Sequence, residues 1–104
     1  MGIEDLERKA RTTKRREGAR RAVLVYRRIC DLYPESAKHW TLLGATLLEA
    51  GRIDEGAEAL RTAIWLRMRS GEVKRAASIA RLLLSNVESD RTAERAMKAA
   101  ALAA

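Results

Sequence analysis

From Trp40 onward the apolar positions fall at steps of three and four: Trp40, Leu43, Leu47 and Ala50. That spacing places them on one face of an α-helix. Ser36 stands just ahead of it as an expected N-cap, its side-chain oxygen accepting from free backbone N–H groups. Gly51 follows the last apolar position and suits a left-handed C-terminal stop. A second helix is predicted from about Asp54, with Ala57, Leu60, Ile64 and Met68 on one face and Ser70-Gly71 at its end. A joint of two or three residues between two such helices makes an antiparallel hairpin.

The same pattern extends in both directions. Upstream, Gly18 introduces a helix carrying Ala22, Tyr26, Ile29 and Tyr33, ended by Pro34. Residues 3–16 hold only Ile3, Leu6 and Ala10 as apolar anchors, so residues 1–17 are expected to form a loosely packed basic helix. Downstream, a helix from Glu72 to about Ser85 gathers Val73, Ala76, Ala77, Ala80, Leu83 and Leu84 on one broad face. Asn86 to Asp90 reads as a turn. Arg91 to Leu102 is helical by propensity, with Ala93, Met97 and Ala100 inward and residues 99–104 as a frayed tail. The prediction is six helices and no strand, in one domain over 1–104.

Composition agrees. Three 34-residue units would nearly fill the 104-residue chain, which makes an internal repeat the first architecture to test. One Pro, six Gly and no Phe leave too few turn residues for a sandwich or barrel. The longest stretch free of Asp, Glu, Lys and Arg, His39 to Leu48, reaches about half a membrane span. Acids precede any apolar run at the start, unlike a secretory signal. A single cysteine, Cys30, cannot form an internal disulfide, and a reducing cytoplasmic setting is the expectation.

Trp40-x2-Leu43-Gly44-x2-Leu47 resembles the first helix of a tetratricopeptide repeat, W-x2-L-G-x2-Y, with Leu in place of Tyr. Gly51 falls at that family's interhelical turn. The second helix departs from the pattern at Gly56, where Ala is usual, and then carries Leu60 and Ala63 at the expected steps. The preceding unit matches in its second half through Ala22, Tyr26, Ile29 and Tyr33-Pro34. A third match through Ala93, Met97 and Ala100 is faint, and a register using 72–85 as a second helix stays open. Gly44 and a small residue at 56 or 57 would let two helices approach closely, with Trp40, Leu43, Leu47, Tyr26 and Leu60 as core. The resemblance implies an all-α, right-handed superhelical stack of about three antiparallel hairpins. It also implies a non-catalytic protein–protein interaction module, an adaptor, scaffold or chaperone-like subunit. Lys38, Thr41, Ala45, Leu48 and Glu49 would face its concave groove, with Arg11, Lys14 and Arg15 as the equivalent set on the first helix. Thr41 and Ala45 depart from the family's carboxylate-clamp variant.

The chemistry in the chain points the same way. There is no G-x-S-x-G elbow and no Gly-rich loop ending in Lys-Ser or Lys-Thr. His39 is the only imidazole, so a two-His metal site cannot be assembled in one chain; it is expected at the surface or between helices. No cofactor is expected. From Arg8 to Arg28 run ten Lys or Arg residues against one acid, Glu17. This flank could bind an acidic protein segment or, as a lesser expectation, nucleic acid. It could equally be a solvated helix face: sixteen Arg against five Lys, with abundant Ala, fits a GC-rich bacterial coding bias. Trp65 stands between Arg61 and Arg69, either as a surface contact residue or buried by packing on both sides. A short array without polar caps would also expose its end helices to self-association.

Overall fold

The computed structural model describes residues 2–104 and consists of α1 (Ile3–Glu17), α2 (Ala19–Leu32), α3 (Ala37–Glu49), α4 (Ile53–Arg69), α5 (Val73–Leu84) and α6 (Arg91–Ala103). No strand occurs among the described residues. Two of the joints have one design. After α3, Gly51 N–H donates to Leu48 O at 3.0 Å and Arg52 N–H to Leu47 O at 2.9 Å. After α4, Gly71 and Glu72 repeat the pattern onto Met68 and Arg67. Both glycines sit at positive φ, 79° and 75°, a conformation that costs an L-residue and ends each helix with its last carbonyls satisfied. The turn before α6 ends on Asp90, whose carboxylate accepts from Ala93 N–H at 3.0 Å.

Each helix packs on the next along the chain, and α4 also touches α6. The body measures 41 × 28 × 18 Å; its thin dimension is that of two layers of helices about 10 Å across. The tightest contact is between α3 and α4. A Cβ added at Gly44 would lie 2.6 Å from Leu60 Cδ2 and 3.2 Å from Gly56 O, and one at Gly56 2.8 Å from Leu48 Cδ2 and 3.1 Å from Gly44 O. The two glycines therefore face each other across the crossing. Gly56, a departure from the repeat pattern in sequence, is the complement of Gly44 in space.

Leu43, Leu47, Ala57, Leu60 and Ile64 are buried on this hairpin as the periodicity predicts, and Ala63 with them, whereas Ala50 and Met68 of the same faces are half buried. One apolar cluster runs from α1 and α2 into α3, and another from α4 into α5 and α6. Trp40 packs against both, but it is only half buried. Its indole Nε1–H donates to Pro34 O at 2.9 Å, so Trp40 borders the core where full burial was expected. The helix over the first residues is not loose: Leu6 and Ala10 are buried against α2. At the other end α6 continues to Ala103; Met1 lies outside the described residues.

Ser36 starts α3 without the expected side-chain cap. Its Oγ lies 2.6 Å from Nδ1 of His39, whose Nε2 lies 3.0 Å from Glu7 Oε2 on α1. A carboxylate only accepts, so Nε2 carries a proton and donates to Glu7, while Nδ1 and the Ser36 hydroxyl share the second hydrogen bond. His39 is buried and ties α1 to α3. The hydrogen bond from His39, then that from Lys38 at 3.2 Å, hold the Glu7 carboxyl below its ordinary value, outweighing its partial burial.

Two outcomes are expected. Gly44→Ala should destabilise the chain by about 1–3 kcal/mol through overpacking against Leu60 and the Gly56 backbone, measured by urea unfolding. Because Glu7 titrates below the ordinary 4.5, its contribution is complete above that value and lost as pH falls through the folded one. The stability difference between wild type and Glu7→Gln should thus shrink as pH falls below about 4.5; a difference that is constant down to acid pH would exclude this role.

Candidate functional site

The first helices of the three pairs, α1, α3 and α5, set out the surface on which the groove residues were expected. Glu7 faces Lys38 and His39, and Lys14 Nζ reaches Glu49 Oε1 at 2.6 Å. These contacts advance together along both helices, so α1 and α3 run side by side in one direction. Lys14 and Glu49 are consequently paired with each other. Arg11 and Arg15 are exposed on α1 and make no ion pair among the described residues.

Beyond α3 the surface sinks into a groove of about 380 Å³ between α3 and α5. Leu42 and Ile79 form its apolar floor, Thr41 and Ser78 its walls, and Lys38, Arg67 and Arg75 its charged edge. Of the expected residues it brings together Lys38 and Thr41. Ala45 is half buried farther along α3. Leu48 turns away, packing against Gly56 of α4, and so belongs to the α3–α4 contact; the close approach of two glycines leaves the space that it fills.

Arg67 and Arg75 were not singled out by the sequence. Arg67 comes from α4, a second helix, and reaches the groove only because α4 ends beside the start of α5. Its Nη1 donates to Glu72 Oε1 at 3.1 Å. Its Nε is buried and has no hydrogen-bond acceptor among the described residues. A buried guanidinium N–H without an acceptor is costly. Arg75 lies 3.6 Å from the other oxygen of Glu72. Arg67 and Arg75 thus share the Glu72 carboxylate, while Lys38 pairs with Glu7.

No family model matches the chain, and no curated protein matches it.

Trp65 is exposed, 54% of its area open to solvent, between buried Ile64 and Leu66. The Arg69 guanidinium stacks over its ring at 4.5 Å and also pairs with Glu35. Arg61, on its other side, is drawn off to Asp90 at 2.6 Å. Burial pushes the Asp90 carboxyl up, but Ala93 N–H and Arg61 hold it below its ordinary value. Trp65 therefore lies on the second-helix side, away from the groove.

No helix is long and apolar enough to cross a membrane, and no group of three His, Cys, Asp or Glu among the described residues could hold a metal ion. Cys30 is buried on α2. Burial and then Asp31 push its thiol up to about 12, against the opposing pull of Arg27. At neutral pH the thiol stays protonated and unreactive. Alkylation of the native chain at pH 8 should accordingly be at least about 100-fold slower than in urea; equal rates would place Cys30 at the surface.

Proposed function

We propose that this chain is a non-catalytic interaction module of the tetratricopeptide type, its hairpins stacked into a right-handed superhelix, that holds an extended acidic segment of a partner protein between α3 and α5. The observation that carries the reading is the groove itself. Lys38, Arg67 and Arg75 border an apolar floor of Leu42 and Ile79, and Arg67 Nε is buried without an acceptor. An extended peptide would place apolar side chains on the floor and a carboxylate or backbone carbonyl at Arg67. A role as adaptor or scaffold follows, since binding of this kind brings proteins together without changing them.

A panel of short acidic peptides containing proline, which stay extended, would test it by fluorescence anisotropy. Lys38→Ala with Arg75→Ala should weaken the best binder about tenfold, the sum of several exposed or half-exposed charge pairs. Unchanged affinity in that variant would discard the groove.

A second reading rests on Arg11, Arg15 and Arg16, which make no ion pair among the described residues. If that flank neutralises phosphates, replacing Arg11, Lys14 and Arg15 with Ala should weaken binding to any duplex. The log-affinity versus log-salt slope would fall by roughly 0.9 for each phosphate no longer neutralised.

A further inference from the structure

A 34-residue offset aligns the hairpin α1–α2 with α3–α4, and it relates two clefts. The inner cleft, about 260 Å³, lies between α3 and α4 and is lined by Trp40, Leu43, Glu55, Glu58, Ala59 and Thr62, with Arg27 of α2 entering it. The outer cleft, about 450 Å³, lies between α1 and α2 and is lined by Leu6, Lys9, Leu24, Val25, Arg28 and Leu32. Leu6, Lys9, Leu24, Val25 and Arg28 stand in this alignment at the positions of Trp40, Leu43, Glu58, Ala59 and Thr62. The inner cleft has a helix seated beside it, and Arg27 of that helix pairs with Glu55 at 2.5 Å. The outer cleft has none. Leu32, which lines the outer cleft, is 51% exposed. Leu24, one turn beyond Arg28 on the same stripe, is 63% exposed.

The charge of the missing helix can be read from the same alignment. Arg27 of α2 meets Glu55 at the start of α4, and Arg61 of α4 meets Asp90 at the start of α6. Each seated helix carries a cation toward an acid on the next. At the outer cleft the residue aligned with Glu55 is Arg21, and Arg20 and Arg21 line the adjoining hollow with Leu24. Lys9, Arg20, Arg21 and Arg28 make no ion pair among the described residues, and no acid lines either hollow. The helix that fits must reverse the sign. A second copy stacked end to end does not, because Arg95 of α6, aligned with Arg27 and Arg61, would be brought toward Arg21.

We propose that the cleft between α1 and α2 is a docking site for an amphipathic helix of an acidic partner protein, seated as α2 is seated on the central hairpin. Its apolar stripe would cover Leu24, Val25 and Leu32, and its flanking carboxylates would meet Arg21 and Arg28. This site is separate from the groove between α3 and α5.

The test uses the full chain and two synthetic helices that share a leucine stripe, one flanked by Glu and one by Lys. The Glu helix should bind about tenfold more tightly, the sum of a few half-exposed charge pairs. Leu24→Ser with Leu32→Ser, both at exposed positions and checked for helicity, should abolish that binding, and Arg21→Glu with Arg28→Glu should reverse the preference. Lys38→Ala with Arg75→Ala should leave it unchanged. Binding of neither helix, equal binding of both, or loss only in the groove variant would overturn the proposal. So would a concentration-dependent mass of the peptide-free chain that Leu24→Ser removes, since the occupant would then be a second copy.

Discussion

The crossing of α3 and α4 at Gly44 and Gly56 is the contact on which the rest of the arrangement depends. With no Cβ on either side, each backbone comes within van der Waals reach of the other, and Leu60 and Leu48 fill the flanking space. This close central hairpin fixes where the two apolar clusters meet, with Trp40 touching both. It also fixes the spacing of the outer hairpins, since α2 packs on α3 and α5 on α4. Dispersion and apolar burial fall off within an ångström of misfit, so a shift here is felt in both clusters.

Side-chain size then decides where the layers close and where they gape. Ala93 and Ala96, wholly buried on α6, let α4 and α6 touch. Between α2 and α4 the bulk of Trp40, with Glu55 and Glu58 above it, leaves an open cleft bridged by Arg27. Polar ties supplement this packing. His39 joins α1 to α3 through Glu7, and Arg61 joins α4 to the cap of α6 through Asp90. The half-exposed pairs add little stability individually; their regular placement matters more for register, because each fixes which turn of one helix faces which turn of the next. The pairs Arg27–Glu55 and Arg61–Asp90 join α2 to the start of α4 and α4 to the start of α6.

Helix number, order and boundaries were legible in the sequence, because a helix face is a local property. Its apolar residues recur every three or four positions, and Gly51, Gly71 and Pro34 end it by backbone restrictions that need no partner. A close approach between Gly44 and a small residue at 56 or 57 was legible too; that Gly56 is the one facing Gly44 was decided in space. What one sequence could not place was any side chain whose position is set by a different helix. Trp40 has the periodicity of a core residue, yet the gap between α2 and α4 leaves it half open. Ser36 has the position of a cap and turns instead to His39, because Glu7 holds the ring from the other side. Leu48 has a groove position on the wheel and is drawn to the space at Gly56. Arg67 carries no local signal for the groove; only the joint at Gly71 brings it there. The sequence by itself determined the six helices, their stops and most of each inward face, though Tyr33, on the expected inner face of α2, is exposed. Tertiary structure alone decided which cations stand together, because charge clusters form from residues far apart in the chain, and no periodicity records them.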